Sequence, residues 1–409
     1  MSAVGETTTM VIIGAGQAGV QAVQSLRQAG YDGRIIMFGD EAAPPYQRPP
    51  LSKAYLQGEL AAERLYLKPP AFYEKQAIDL RLNVRVTAID RRAKTVTTET
   101  GDVISYDKLL LATGAPPRRL TVAGAELAGV HYLRTCADSD ALRPVLADGG
   151  RIVIVGAGYI GLEVAASARK AGLDVTVLEM ADRVLARVAG EEISAFFDGL
   201  HRAHGVDLRL GAALDHFEGE GAVAAAVLTS GEKIACKAVL VGIGAAPAIS
   251  LAEVAGLDID NGVWADEFAR TSDPFIWAAG DCASHPSQLY GRRIRLESVP
   301  NAIEQAKVAG ANMAGDDKVY DAVPWFWSDQ YDVKLQTVGV SQGANETVVR
   351  GAPSDHKFSI WYFGDGRLLA VDAINDPAAF AFSKRLIGSS AIDRQQLADT
   401  NVDLKTLLS

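Results

Sequence analysis

Two short apolar runs along the chain each end at a glycine-rich turn and continue into a stretch of small and apolar residues. The runs are Met10–Ile13 and Ile152–Val155, and the turns after them are Gly14-Ala-Gly16-Gln-Ala-Gly19 and Gly156-Ala-Gly158-Tyr-Ile-Gly161. An apolar run of this length is typical of a buried strand in a parallel sheet. We therefore predict a buried strand, a tight turn and a helix at both places.

Each turn has the spacing Gly-x-Gly-x-x-Gly, which suits a dinucleotide. The first glycine makes the turn, the second lets the backbone approach a pyrophosphate, and the third lets the helix pack on the strand. The helix that follows offers unpaired N–H groups and the positive end of its dipole to the phosphates. An acidic residue also ends the next strand in each case, Asp40 and Glu179, where ribose hydroxyls need an acceptor.

A single turn of this kind also occurs in ordinary strand–helix connections, so one copy would indicate little. Two complete copies in one chain predict two dinucleotide sites. Such a pair of sites suggests an enzyme that binds a flavin and a nicotinamide.

The pattern between and after the two turns predicts one nucleotide-binding domain that is interrupted by another. Strands are predicted over 84–89, 95–104 and 106–114, and a stiff irregular loop is predicted over the proline-rich residues 43–53. Residues 115–118 suit a crossover into the second domain. The predicted limits place the first domain at 1–112 and 245–322, and the second domain at 113–244.

The last segment, residues 323–409, has a different composition, with aromatic residues and short alternating runs. It opens with Pro324-Trp-Phe-Trp-Ser-Asp-Gln-Tyr331. Strands are predicted over 334–340, 358–363 and 367–371, followed by a helix over 377–387. We predict a smaller α+β domain here.

Composition narrows the class of protein. The chain has 409 residues, enough for two or three domains, and no apolar stretch approaches the roughly 20 residues of a membrane span. Met1–Thr9 lacks the pattern of a secretion signal, which favours the cytoplasm. A net charge of −10 argues against nucleic acid as a general partner.

The three cysteines, Cys136, Cys236 and Cys282, lie far apart in the sequence. This spacing fits a reducing compartment and predicts neither a disulfide framework nor a metal site. It also excludes the close cysteine pair that serves as a second redox centre in flavoprotein disulfide reductases. Each cysteine is expected to be a small buried residue.

The order of the motifs closely resembles that of the NADH-dependent ferredoxin reductases of bacterial oxygenase systems, which are flavoproteins with two dinucleotide-binding domains. The matching segments span nearly the whole chain: 11–19, Pro-Pro-Leu-Ser-Lys53, Leu-Ala-Thr-Gly114, 158–166, Gly280-Asp-Cys-Ala, Glu297-Ser-Val-Pro-Asn-Ala and 324–331. The glycine motifs are shared by many flavoproteins, whereas the Pro-Pro-Leu-Ser-Lys segment and the tryptophan segment are much narrower.

The resemblance implies a glutathione-reductase-like α/β fold with FAD in the first domain and NADH in the second. It implies FAD contacts from Gly14, Gly16, Ala18, Gly19, Asp40, Lys53, Val86, Thr113, Gly114, Arg134, Gly280, Asp281 and Val299. It implies NADH contacts from Gly156, Gly158, Tyr159, Ile160, Gly161, Glu163, Glu179, Arg187 and Gly244. Glu41 is a second candidate for the ribose acceptor beside Asp40.

The resemblance also implies how three residues act. Lys53 would lie beside the flavin ring near N5, ion-paired with Glu163, and would position the nicotinamide and stabilise negative charge on the reduced ring. Trp327 would stack near the same site. A structural salt bridge and a packing aromatic are the alternatives for these residues.

The implied partner is a 2Fe–2S ferredoxin that feeds an oxygenase, bound by a reductase that is a monomer or a weak homodimer, with no nucleic acid and no membrane. Ferredoxins are typically acidic, so basic residues are candidates for docking: Arg292, Arg293, Arg295, Lys384 and Arg385. Two other functions stay open. One is an NADH reductase of a small molecule, similar to monodehydroascorbate reductases, and the other is an NADH-binding regulatory flavoprotein.

Overall fold

The computed structural model describes residues 8–408. Of the segment Met1–Thr9, in which we find no secretion signal, all but Thr8 and Thr9 lie outside the described residues. Contacts divide the chain into two compact units. The first comprises the residues up to Gln47, Glu63–Pro116 and Ala246–Pro324, and the second comprises Arg48–Ala62, Pro117–Ala245 and the residues from Trp325 onward.

The helices and strands of residues 8–408 are as follows. The α-helices are α1 (Gln17–Gln28), α2 (Pro70–Lys75), α3 (Cys136–Asp148), α4 (Tyr159–Lys170), α5 (Glu191–Ala203), α6 (Ser250–Val254), α7 (Val299–Ala314), α8 (Pro377–Leu386) and α9 (Arg394–Ala398). The strands are β1 (Thr9–Ile13), β2 (Arg34–Phe38), β3 (Ile78–Arg81), β4 (Val86–Asp90), β5 (Thr95–Thr98), β6 (Val103–Ser105), β7 (Lys108–Leu111), β8 (Val130–His131), β9 (Arg151–Val155), β10 (Asp174–Glu179), β11 (Asp207–Leu210), β12 (Leu214–Glu218), β13 (Ala225–Leu228), β14 (Lys233–Ala235), β15 (Ala238–Val241), β16 (Val263–Trp264), β17 (Ile276–Ala278), β18 (Ala283–Ser287), β19 (Arg292–Ile294), β20 (Trp325–Gln330), β21 (Val333–Gly339), β22 (Glu346–Ala352), β23 (Lys357–Gly364) and β24 (Arg367–Ile374). Short 3-10 helices cover Pro49–Ser52, Ala62–Leu65, Pro353–Asp355 and Leu404–Leu408. None of these helices has the length and apolar character that a membrane span requires.

The first unit is built on a parallel sheet with strand order β17-β7-β1-β2-β3. Its central strands are apolar on both faces because both faces are covered, by α1 and α7 on one side and by the β4-β5-β6 sheet with α6 on the other. Helices α1 and α7 pack closely, since a Cβ on Gly310 would lie 2.8 Å from the carbonyl oxygen of Ala22. The glycine turn after β1 is therefore mounted on a rigid sheet.

The second unit contains a parallel sheet of order β11-β10-β9-β15-β8 and an antiparallel sheet of order β12-β13-β14. The residues from Trp325 onward add an antiparallel sheet of order β20-β21-β24-β23-β22, against which α8 packs. Two Rossmann-like parallel sheets and a smaller α+β part confirm the predicted fold class.

Most elements that the hydrophobic pattern predicts are present, but several observed elements were not predicted, and the segment predicted as one strand over 95–104 forms the two strands β5 and β6. The proline-rich residues, predicted as an irregular loop, include a 3-10 helix over Pro49–Ser52, because proline suits the first turn of a short helix. Strand β22 is absent from our prediction, because Glu-Thr-Val-Val-Arg-Gly-Ala has no regular alternation of apolar and polar residues.

Residues 48–62 belong to the second unit by their contacts, although we predicted them within the 1–112 part of the first domain. Side-chain hydrogen bonds hold this segment to α3 and α4. The Tyr55 hydroxyl donates to Asp140 at 2.8 Å, and the Gln57 amide donates to Ser167 at 2.9 Å. The division into three domains with limits at 112, 244 and 322 stays a prediction.

Candidate functional site

The first glycine turn joins β1 to α1 in the first unit, and its three glycines have different environments. Gly14 has a φ of +117°, and a Cβ there would lie 2.1 Å from the carbonyl oxygen of Ala112. A Cβ on Gly19 would lie 2.0 Å from the carbonyl oxygen of Gly14. A Cβ on Gly16, by contrast, would have no heavy atom of the protein within 4 Å. The fold requires the first and third glycines, and the second leaves open space.

The second glycine turn joins β9 to α4 in the second unit and repeats this geometry. Gly156 has a φ of +103°, and a Cβ there would lie 2.5 Å from the carbonyl oxygen of Gly242. A Cβ on Gly161 would lie 2.1 Å from the carbonyl oxygen of Gly156. The nearest atom to a Cβ on Gly158 would be the Gly242 oxygen at 4.0 Å. Space is again left only at the second glycine.

The open space lies at the N-terminus of a helix in both units. Helices α1 and α4 begin after Gly16 and Gly158, and neither N-cap carries a side-chain hydrogen bond. The first N–H groups of each helix are therefore left for a ligand, and they favour a phosphate. The residues present fit one dinucleotide pyrophosphate in each unit.

Glu179 ends β10, and the backbone of the second unit fixes its carboxylate. One oxygen accepts from the N–H of Ala157, in the glycine turn, at 2.8 Å, and the other accepts from the N–H of Ala181 at 2.9 Å. A carboxylate oxygen can accept more than one hydrogen bond. Glu179 is thus held beside the turn with acceptor capacity left for ribose hydroxyls.

Asp40 and Glu41 follow β2 in the first unit and are less firmly placed. Asp40 is exposed and forms an ion pair with Arg85 at 3.0 Å. Glu41 accepts a hydrogen bond from the Tyr46 hydroxyl. Both carboxylates keep acceptor capacity, so the choice of ribose acceptor stays a prediction.

Two arginines follow β10, and they differ in their partners. Arg183 donates to the Ala189 carbonyl at 2.8 Å and to Ser194 at 2.7 Å, so its own loop occupies it. Arg187 is exposed and forms no hydrogen bond or ion pair with any residue in the range 8–408. Its guanidinium would lie 2.7 Å from a Cβ placed on Gly244, another predicted NADH residue. Of these two arginines, Arg187 is therefore the one that no described residue engages, and its contact with NADH stays a prediction.

The remaining predicted FAD residues divide between the units. Val86, Thr113, Gly114, Asp281 and Val299 lie in the first unit, and Arg134 lies in the second. Gly280 has a φ of +85°, and its N–H donates to the buried Gln305 at 2.9 Å. Helix α7 begins as predicted, with Val299 and Pro300 in its first turn and with Ser298 accepting from an N–H at 3.2 Å.

Lys53 and Glu163 form an ion pair within the second unit. The Lys53 ammonium lies 2.7 Å from one carboxylate oxygen of Glu163, and the Ser52 hydroxyl donates to the same oxygen. The Ser328 hydroxyl donates to the other oxygen at 2.7 Å. Glu163 is 6% exposed, so the pair is largely desolvated and its lone pairs are satisfied by protein donors. The ion pair matches the prediction.

Strand β20 explains why a serine completes this site while Trp327 does not touch Glu163. Successive side chains of a strand point to opposite faces. Phe326 packs on Tyr159 with ring centroids 4.5 Å apart, and Ser328 contacts Glu163, so both face α4. Trp327 lies on the other face with Trp325, at 5.6 Å between centroids. Its role beside the flavin and the nicotinamide stays a prediction.

Our sequence analysis missed Ser52 and Ser328 as partners of Glu163. Both lie inside segments that carry the family resemblance, Pro-Pro-Leu-Ser-Lys53 and the tryptophan segment. A buried carboxylate needs donors besides one ammonium, and a serine next to each predicted site residue could have indicated them.

The five basic docking candidates are not equally exposed. Arg293 donates to the carbonyl of Ala265, and Arg295 pairs with Glu297 at 2.7 Å, so both are used within the first unit. Arg292, Lys384 and Arg385 are exposed. Lys384 lies 4.1 Å from the ring centroid of Trp325, and burial lowers its pKa.

Comparison with known proteins gives consistent matches. Residues 8–306 match the model of the pyridine nucleotide-disulphide oxidoreductases, and residues 325–408 match the reductase C-terminal family. The chain is 45% identical over 403 residues to rhodocoxin reductase from Rhodococcus erythropolis, covering 98% of this chain and 94% of the relative. It is 44% identical over 407 residues to putidaredoxin reductase from Pseudomonas putida, covering 98% and 96%. The crystal structure of the covalent putidaredoxin reductase–putidaredoxin complex has a TM-score of 0.95, with 44% identity and 98% of both chains covered.

Proposed function

The chain belongs to the pyridine nucleotide-disulphide oxidoreductase family, and from this premise we propose that it is an FAD-dependent NADH:ferredoxin oxidoreductase of an oxygenase system. The observation that carries this proposal is the pair of glycine turns, one in each unit, each with open space at the second glycine and an uncapped helix behind it. Relatives named as reductases of rhodocoxin and putidaredoxin, similar over nearly their whole length, support a redox protein as the acceptor.

When bound, FAD and NADH would supply hydride transfer between the cofactors and one-electron transfer to a 2Fe–2S ferredoxin. The protein holds the pyrophosphates at the N-termini of α1 and α4. Glu179 accepts from the ribose of NADH, and Arg187 pairs with a phosphate of the same cofactor. These roles extend the geometry described above to the bound state.

The Lys53–Glu163 pair is the polar group that we assign to the nicotinamide. Its partners, Ser52 and Ser328, leave neither carboxylate oxygen without a donor, so the pair keeps a fixed orientation. A fixed charge pair can orient the nicotinamide amide without reorganising during the reaction. The implied actions of Lys53 and Trp327 toward the flavin remain part of the proposal.

The cysteines determine which branch of the family chemistry is open to this chain. None of Cys136, Cys236 and Cys282 forms a disulfide in the described structure, and Cys236 and Cys282 are buried. Cys136 is only half-buried, contrary to our expectation, because it is the first residue of α3. Cysteines at three well-separated positions, with no disulfide among the described residues, support electron transfer to a protein rather than a dithiol reaction, and they support a place in the cytoplasm.

The decisive experiment measures the acceptor. Purified protein loaded with FAD is mixed with NADH and with a 2Fe–2S ferredoxin encoded beside it, and the reduction of cytochrome c through the ferredoxin is followed. The rate should exceed that with small quinones or monodehydroascorbate by at least tenfold at equal acceptor concentration. Faster reduction of a small molecule than of any ferredoxin would favour the small-molecule reductase instead. If neither kind of acceptor were reduced by NADH, the regulatory flavoprotein would be favoured.

A further inference from the structure

A chain of buried polar side chains extends from Glu163 into the second unit. The Ser328 hydroxyl lies 2.7 Å from Glu163, and the Gln330 amide nitrogen lies 3.2 Å from the Ser328 hydroxyl. The Gln330 amide oxygen lies 2.8 Å from Nε2 of His201, and Nδ1 of His201 lies 3.3 Å from the Tyr331 hydroxyl. We call these four residues, Ser328, Gln330, His201 and Tyr331, the relay.

The hydrogen bonds of the relay have one consistent direction. Gln330 donates to Ser328 through its nitrogen, so its oxygen faces His201 and requires a donor there. Nε2 of His201 therefore carries the proton, and Nδ1 accepts from Tyr331. Each group donates toward Glu163, and the last hydroxyl donates to its carboxylate.

The relay residues are deeply buried, and burial strengthens the electrostatic effect of hydrogen bonds that share one direction. Ser328 and His201 are 0% exposed and Gln330 is 1% exposed. Burial also lowers the pKa of His201 to about 4, so the ring is neutral at neutral pH, as the single Nε2 proton requires. Aligned hydrogen bonds in such a setting polarise one another, and their dipoles all favour negative charge at Glu163.

The three inner members of the relay lie at positions where apolar residues would otherwise be expected. Ser328 and Gln330 alternate along β20 on the face that Phe326 shares, and His201 lies near the end of α5. Polar groups at such positions are costly unless each finds a partner. All of them find one, and the sequence of partners ends at the carboxylate of the candidate site.

We propose that the relay is a positioning device for the Lys53–Glu163 pair: Ser328, Gln330 and His201 hold the Glu163 carboxylate in one orientation through directed hydrogen bonds. This proposal rests on the proposed function, because Glu163 is assigned there to the nicotinamide. Among the described residues, His201 and Gln330 form no hydrogen bond with Lys53 or Glu163, so they would act through Ser328.

The first test determines the direction of the hydrogen bonds in the relay and requires no enzymatic turnover. The sequence has six histidines, so selective ¹⁵N-histidine labelling gives a resolvable NMR spectrum. His201, identified by its loss in His201→Leu, should be neutral with its proton on Nε2 at neutral pH. A proton on Nδ1 would overturn the proposal, because Gln330 would then donate to His201 and the hydrogen bonds would run away from Glu163.

The second test measures coupling. Flavin reduction by NADH is followed by stopped-flow absorbance in the FAD-loaded protein, which gives the rate at saturating NADH and the Kd for NADH separately. Ser328→Ala should lower the saturated rate roughly tenfold, the equivalent of one lost hydrogen bond to a charged group. It should change the Kd by less than about threefold, because the phosphate and ribose contacts are intact. Ser328→Thr, which keeps the hydroxyl, should restore most of the rate.

The matched control is Ser359→Ala in β23 of the same sheet. Ser359 is also 0% exposed and also accepts a hydrogen bond, from the Trp361 indole at 2.9 Å, but it has no link to Glu163. The rate of flavin reduction in Ser359→Ala should stay within about twofold of the wild-type rate. Equal losses in Ser359→Ala and Ser328→Ala would show a general effect on the sheet and would overturn the relay.

The double variant decides whether His201 acts through Ser328. His201→Leu should lower the rate roughly threefold in the wild type and by less than about 1.5-fold in the Ser328→Ala background, because the connection is already broken. Equal factors in both backgrounds would refute the proposal. Should Ser328→Ala lose FAD, Gln330→Met replaces it in the cycle. A wild type that NADH does not reduce would refute the proposed function instead, whereas a reducible wild type with unaffected relay variants would refute only the relay.

Discussion

Replacement of Gly16 by valine should remove FAD and leave the fold of the apoprotein intact. The three glycines of the first turn make this separation possible. Added side chains on Gly14 or Gly19 would collide with backbone oxygens at 2.1 Å and 2.0 Å, whereas a Cβ on Gly16 meets no protein atom within 4 Å. Gly16 also has a φ of −97° and a ψ of −161°, an extended conformation that L-residues adopt readily.

The two effects differ greatly in size. Valine at an N-cap in place of glycine costs the apoprotein on the order of 0.5–1 kcal/mol, because its side chain cannot cap the helix. In the holoprotein the same side chain occupies the space that the pyrophosphate needs. Loss of two hydrogen bonds between phosphate and helix N–H groups costs about 3–6 kcal/mol, roughly a hundredfold to ten-thousandfold in the Kd for FAD.

The assay measures the FAD-to-protein ratio by absorbance after gel filtration and the thermal unfolding of the apoproteins by circular dichroism. Gly16→Val should be colourless, with an apoprotein Tm within a few degrees of the wild-type apoprotein. Gly158→Val is the matched variant in the second unit, because the nearest atom to its Cβ is 4.0 Å away. It should stay yellow and fail to be reduced by NADH. A yellow Gly16→Val with full FAD content would refute the assignment of the first turn, and a colourless Gly158→Val would refute the separation of the two sites.

Three further predictions follow from single residues. Glu179→Ala should weaken NADH binding by about 1–3 kcal/mol, because the ribose acceptor is lost, and should narrow the preference for NADH over NADPH in kcat/KM. Equal kcat/KM values of the wild type for the two cofactors would contradict this prediction. Burial raises the pKa of Asp372 to about 6, so the folded state holds its proton more tightly than the unfolded state, and stability falls as the pH rises from about 4 to about 6. Asp372→Asn should remove this pH dependence, which is worth about 3 kcal/mol at most, and should be more stable to urea than the wild type at neutral pH. If the free energies of unfolding of the variant and the wild type differed by the same amount at about pH 4 and about pH 6, the prediction would be contradicted. Arg292→Glu and Arg385→Glu should each slow cytochrome reduction through ferredoxin, less so at high salt, and should leave ferricyanide reduction by NADH unchanged; parallel loss of both activities would instead indicate damage to the fold or the flavin.

The parts of the fold that could be predicted are those fixed by local chemistry. Each glycine turn occupies six residues whose spacing follows from strand, turn and helix geometry, and the structure has both turns with the predicted steric roles at Gly14 and Gly156. The start of α7, with Pro300 in its first turn, and most strands of the last segment are likewise set by neighbours in sequence. Local patterns of this kind need no knowledge of distant contacts.

The parts that could not be predicted depend on pairings across long separations. Ser328 reaches Glu163 across 165 positions, and His201 reaches Gln330 across 129. No spacing within one segment indicates such a contact. The fold likewise shows that Arg293 donates to the carbonyl of Ala265, 28 positions away, and the docking roles of Arg293 and Arg295 stay predictions.

The contacts of Ser328 bear on what the last segment contributes to the second unit. A buried ion pair is tolerable only when its remaining acceptors are satisfied, because desolvation otherwise outweighs the attraction between the charges. Lys53 and Ser52 satisfy one oxygen of Glu163, and only Ser328 satisfies the other among the described residues. Successive side chains of β20 point to opposite faces, so its tryptophans face away from Glu163 while its serine completes the hydrogen bonding of the charge pair. The segment from Trp325 onward is then part of the site, and removal of the Ser328 hydroxyl alone would leave a buried carboxylate oxygen without its donor.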